Sequence, residues 1–119
     1  MSRVLIVENE LLIALVLEDI IEMLGHDVAG NAASLTEGHA LFDTLGDAGI
    51  DVAVLDVNLG SEPVYPLADR LAAAGTRIVF ATGSHPDMLP DRFAGCDVLE
   101  KPYAFAAVEA LLGKVLASA

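Results

Sequence analysis

DVAVLD, Asp51 to Asp56, sets a Val-Ala-Val-Leu run between two aspartates. A short, unbroken apolar run rich in β-branched residues, with no polar alternation, reads as a strand buried on both faces. The same signature recurs on either side of it. Arg3 to Val7 (RVLIV) and Arg77 to Thr82 (RIVFAT) repeat it strongly, and His26 to Ala32 and Asp97 to Leu99 more weakly. The intervening stretches carry a helical rhythm. In Glu10 to Leu24, residues Ile13, Leu17, Ile20 and Leu24 mark one buried face, and Gly25 supplies the stop. Ser34 is placed to cap a helix running to about Leu45, with Gly46 and Gly49 at its exit. Asn58 to Pro66 reads as a Gly/Pro-bearing loop, Leu67 to Ala74 as a third helix ended by Gly75, and Tyr103 to Ala117 as the last helix. Pro86 and Pro90 leave room for only a short or distorted fourth helix.

Strict alternation of strands and helices predicts an α/β fold: a flavodoxin-like (βα)5 three-layer sandwich, with a parallel five-stranded sheet in the order 2-1-3-4-5. The 119 residues suit a single domain, 1–119, with no effector domain expected. A lone cysteine, Cys96, rules out an intramolecular disulfide and reads as a small apolar residue beside strand five. The chain opens directly into a strand, without a basic stretch or cleavage site, so a cytoplasmic location is expected. The longest apolar run, Leu11 to Leu17, is far below the roughly 20 residues of a spanning helix, so no membrane segment is expected. Eighteen acidic against six basic residues give a formal charge of −12, which repels a phosphate backbone and argues against nucleic-acid binding.

The polar residues that interrupt the apolar strands share one kind of place. Glu8 and Asn9 follow strand one, Asp56 ends strand three, Thr82 ends strand four and Lys101 follows strand five. In open α/β sheets ligands bind beyond the carboxyl ends of the strands, where the strand order reverses, so these residues are expected to converge. Carboxylates that can hold Mg²⁺, with a hydroxyl and an ammonium to neutralise phosphoryl oxygens, suit phosphoryl transfer.

Four motifs in order, VLIVENE (Val4–Glu10), VLDVNLG (Val54–Gly60), FATG (Phe80–Gly83) and KPY (Lys101–Tyr103), resemble the response-regulator receiver domains of two-component systems. FATG and the Pro-bearing sequence after it resemble the subgroup named for its Phe-Ala-Thr-Gly motif, here in a stand-alone, single-domain form. The resemblance covers nearly the whole chain. It implies that Asp56 is the phosphoacceptor, that Thr82 and Lys101 contact the phosphoryl group, and that the protein is not an enzyme beyond assisting its own phosphorylation and dephosphorylation. Mg²⁺ would be held by Glu8, Asn9, Asp56 and the backbone carbonyl of Asn58. A histidine kinase or histidine phosphotransfer protein is the implied donor, with a downstream protein as a further partner. Two positions depart from the family pattern: Asn9 is neutral where a second acid is usual, which weakens Mg²⁺ binding, and Val98 stands where an aromatic switch residue is usual. The switch is therefore expected around Thr82, Gly83, Ser84 and His85.

Other readings stay beside this one. Asn9 also suits the N-cap of helix one, and Asp56 alone could be a turn residue. His26, His39 and His85 are too scattered for a metal site. A phosphorylation-independent receiver-like interaction module is the main alternative, motivated by Asn9 and Val98. An aspartate-nucleophile phosphatase would want an acid at Asn58, and a flavin or nucleotide carrier would want a Gly-rich loop after strand one. On a helical wheel Leu11 and Leu15 fall opposite the buried face of helix one, where a phosphodonor could dock.

Overall fold

The computed structural model describes residues 2–45, 49–59, 62–82, 89–93, 95–101 and 103–117. The expected Gly46, Gly83, Ser84, His85 and Pro86 features lie outside these residues. The elements in chain order are β1 (Arg3–Val7), α1 (Leu11–Met23), β2 (Asp27–Ala32), α2 (Leu35–Leu45), β3 (Val52–Asp56), β4 (Asn58–Leu59), β5 (Glu62–Pro63), α3 (Tyr65–Ala73), β6 (Arg77–Thr82), β7 (Asp97–Glu100) and α4 (Phe105–Ala117). A 3-10 turn at Asp91–Phe93 precedes β7, and Pro90 leads directly into it. Five strands form one parallel sheet in the order β2-β1-β3-β6-β7, the expected 2-1-3-4-5 arrangement.

Every residue of β3 is buried, as expected of a strand covered on both sides. Alternation divides the side chains between two apolar layers. Leu5, Val7, Ala53, Leu55 and Phe80 pack with Leu67, Ala68 and Leu71 of α3 and with partly buried Leu41 and Phe42 of α2. Val4, Ile6, Val52, Val54 and Val79 pack on the other face with Leu17, Ile20 and Ile21 of α1 and Val108, Leu112 and Val115 of α4.

The helix ends follow local chemistry. After α1, the Gly25 N–H donates to the Glu22 carbonyl and the His26 N–H to the Ile21 carbonyl, closing a Schellman turn that needs Gly25 at φ +88°. Gly75, at φ +89°, ends α3 in the same way. Ser34 caps α2 as expected, its Oγ accepting the Glu37 N–H at 3.1 Å. The cap of α1 differs from the expectation. It falls on Glu10, with no side-chain cap bond, and Asn9 stands one residue outside it. The loop after β3 also differs, since it contains the two-residue hairpin β4–β5, with Asn58 opposite Pro63 and Leu59 opposite Glu62. Helix α3 starts at Tyr65, ahead of the expected Leu67, because Pro66 falls in the first turn, where a missing N–H costs nothing.

Phe80 sits among the rings of Tyr65, at 5.9 Å, and Phe93, at 5.2 Å, and joins β6 to α3 and to the turn before β7. Phe80→Ala is expected to lower the unfolding free energy by about 3–5 kcal/mol. A urea titration reads this as a fall in midpoint at unchanged slope.

Candidate functional site

Strand register assembles the site. Val7 lies opposite Leu55, so Glu8, one step beyond β1, falls beside Asp56 at the end of β3. Asp56 pairs with Ala81, which brings Thr82 next to it, and Thr82 pairs with Glu100, which brings up Lys101. Two backbone bonds extend the ladder past the strand ends: the Glu8 N–H donates to the Ala32 carbonyl at 2.9 Å and the Lys101 N–H to the Thr82 carbonyl at 3.1 Å.

The structure therefore gathers Glu8, Asp56, Thr82 and Lys101 at the carboxyl edge. The first three are almost enclosed, with exposures of 2%, 3% and 6%. The Lys101 ammonium bridges the two carboxylates, at 2.6 Å from Glu8 Oε1 and 3.0 Å from Asp56 Oδ2. Glu8 is held further by its own turn, since the Glu10 N–H donates to Oε2 at 3.1 Å. That bond shapes the chain between β1 and α1 and accounts for a helix start that needs no cap from Asn9. Asn9 is exposed beside the cluster. Asn58 begins β4 two residues after Asp56, which leaves its backbone at the same edge. Among the described residues no group of three His, Cys, Asp or Glu side chains is placed to hold a metal ion.

Tyr103, quoted in the sequence as the end of KPY but given no role in the site, joins the cluster. Its hydroxyl donates to Glu8 Oε1 at 3.4 Å. Its position, two residues past Lys101 at the carboxyl edge, was the available signal, but the ring read as the start of the last helix. A cleft of about 370 Å³ opens beside Glu8 and is lined by Asn9, Leu11, Leu15, Asn31 and Glu37. On its wall the Asn31 amide donates to Glu18 Oε2 at 2.9 Å. Leu11 and Leu15 are exposed, at 70% and 45%, as the helical wheel required, and Leu12 and Val16 extend the apolar patch. Cys96 is only half-buried, and burial raises its thiol pKa. The first two histidines are far apart in role: the Ser2 N–H donates to His26 Nδ1, and His39 contacts Arg70.

Burial pushes the Glu8 carboxyl above its ordinary value. The Lys101 bond opposes that shift, and Asp56 reinforces it. Burial also works against the charged form of Lys101, but the bonds to Glu8 and Asp56 outweigh it and hold the ammonium above its ordinary range. Lys101 is therefore a fixed positive charge shared by the two carboxylates.

No protein-family model matches the chain. The phyllosphere-induced regulator PhyR of Methylorubrum extorquens is 29% identical over 117 residues, which cover 97% of this chain and 43% of that protein. The chain thus spans less than half the length of that relative. The solution structure of SdrG from Sphingomonas melonis Fr1 is 39% identical, with a TM-score of 0.80 over 98% of this chain and 97% of SdrG. The response-regulator REC domain of Erythrobacter litoralis PhyR is 28% identical, with a TM-score of 0.80 over 97% of this chain and 89% of that domain.

Because Glu8 is held above its ordinary 4.5, the folded chain binds that proton more tightly than the unfolded chain does. Its contribution to stability therefore falls as pH rises through the window above that value. Lys101→Met removes the cation that offsets this cost. The variant is expected to lose about 1–3 kcal/mol at pH 7. The loss should shrink toward pH 5 as Glu8 takes up its proton, which unfolding curves at the two pH values would measure.

Proposed function

The chain belongs to the response-regulator receiver family, and we propose that it serves a phosphorelay by accepting a phosphoryl group on Asp56. The observation that carries this reading is the buried Asp56 carboxylate at the end of the central strand, bonded to an ammonium that it shares with Glu8. An Asp56 oxygen attacks the phosphorus of a phosphohistidine in line. The new P–O bond forms as the P–N bond breaks, and the imidazole leaves with the electron pair. Lys101 passes from Asp56 to a phosphoryl oxygen, and the Thr82 hydroxyl donates to another. Their charge and hydrogen bond stabilise a group that is more negative than the carboxylate it modifies.

The donor set suits one Mg²⁺. Two buried carboxylates already share a single cationic group, and Mg²⁺ is commonly held by one or two carboxylates with water and phosphate. Glu8, Asp56 and the Asn58 carbonyl would hold it, with Asn9 as a neutral neighbour in place of a second acid. When bound, it supplies positive charge against the phosphoryl oxygens. Intact mass after incubation with acetyl phosphate is expected to rise by one phosphoryl group with Mg²⁺, and to stay unchanged in Asp56→Asn. The neutral Asn9 favours one other reading, a receiver that signals by contact alone. Absence of phosphorylation together with absence of Mg²⁺ binding would select it.

The donor in this reading is a histidine kinase or phosphotransfer protein in the cytoplasm, engaging the exposed α1 patch beside the site. A downstream protein would then read the phosphorylated population. No helix among the described residues is long and apolar enough to cross a membrane. Leu11→Ala with Leu15→Ala is expected to slow transfer from the cognate donor about tenfold, the equivalent of 1.4 kcal/mol, while acetyl phosphate still labels Asp56 at the normal rate. Equal loss with both donors would count against docking on α1.

A further inference from the structure

Among the described residues, donors of two different kinds approach Glu8 Oε1. The Lys101 ammonium lies at 2.6 Å and the Tyr103 hydroxyl at 3.4 Å, long for an O–H···O bond. Lys101 therefore does most of the holding in this state, and Tyr103 stands as a second donor already within reach. Its place is set by the fold, because Tyr103 packs against the apolar layer of α1 and α4 and meets Glu8 from 95 residues away in the chain. A tyrosine phenol is ordinarily protonated at neutral pH, so its hydroxyl is an available donor.

The two donors respond differently to a divalent cation. The ammonium supplies positive charge between the carboxylates, and a second cation there repels it. A neutral hydroxyl meets no such repulsion. Once Lys101 withdraws, Glu8 keeps the Glu10 N–H on Oε2, and the Tyr103 hydroxyl remains as a donor within reach of Oε1. Buried carboxylate ligands depend on such supporting bonds for their orientation. With Asn9 neutral, Glu8 and Asp56 carry the carboxylate share of the site, and the aim of Glu8 matters more.

We propose that Tyr103 is a positioning residue that keeps the Glu8 carboxylate oriented when a divalent cation replaces Lys101 between Glu8 and Asp56. The proposal rests on the cation part of the reading above and adds to it a residue and a role. Phosphorylation is not needed to test it.

The chain has two tyrosines and no tryptophan, so Tyr65→Phe leaves Tyr103 as the sole tyrosine, while a phenylalanine keeps the ring cluster of Phe80 and Phe93. Titrating Tyr65→Phe with Mg²⁺ is expected to change tyrosine emission saturably, as the hydroxyl shortens its bond to Glu8. Calorimetry should find Mg²⁺ affinity about tenfold weaker in Tyr103→Phe than in the unaltered protein. The urea midpoint without Mg²⁺ should be unchanged. Equal affinity in the two proteins overturns the proposal. So does a flat emission trace in Tyr65→Phe at Mg²⁺ concentrations that calorimetry shows to be saturating, a result that does not depend on how well Tyr103→Phe folds. If the unaltered protein binds no Mg²⁺, the cation reading falls and the proposal with it, whereas binding without any effect of Tyr103 removes the proposal alone.

Discussion

One ammonium between two buried carboxylates is the constraint on which the rest of the molecule depends. Glu8 and Asp56 are drawn out of water by the ends of two adjacent central strands, in a chain that already carries a formal charge of −12. Like charges at that depth do not persist without a counter-charge, and Lys101 supplies it from β7, two strands away from β3. Because the bridge spans β1, β3 and the end of β7, it requires the register of the whole sheet to be right. The apolar layers on either face hold that register, since a slip of one residue would turn every buried Val and Leu toward the wrong helices.

The same arrangement makes the site responsive. A buried ion pair contributes little net stability, because desolvation cancels much of the attraction, yet losing one partner is costly. A new charge near Asp56 would therefore act first on Lys101, whose ammonium also holds Glu8. The geometry couples three side chains through one oxygen of Glu8, which the ammonium and the Tyr103 hydroxyl both approach.

The sheet was legible in the sequence because its strands are continuous apolar runs, and β1, β3 and β6 begin and end within a residue of where RVLIV, DVAVLD and RIVFAT place them. Glu8, Asp56 and Thr82 were legible for the same reason, as the first polar residues at the ends of such runs, and Lys101 from its place just after strand five, one residue beyond Glu100. The rest depended on contacts that no periodicity records. The β4–β5 hairpin has two residues a strand, too few to show alternation. Pro66 looked like a boundary before the helix, but it occupies the first turn. Asn9 has the right chemistry for a cap, yet the Glu8 bond to the Glu10 N–H moves the cap one residue along. Tyr103 reads in sequence as the end of KPY and the start of the last helix, and only the tertiary fold brings its hydroxyl to a residue 95 positions away.

The helix ends also differ between the two rims of the sheet. At the amino rim, α1 and α3 both finish in Schellman turns, whereas at the carboxyl rim neither begins with a side-chain cap, unlike α2, which has one from Ser34. First-turn N–H groups left to solvent open more easily than those locked in a closed turn. Amide hydrogens should thus exchange along a gradient, slowest at the amino rim and fastest in the exposed first turn of α1. The fold is thus closed at its amino rim by two turns of one kind, so that end is anchored independently of the charged cluster at the other.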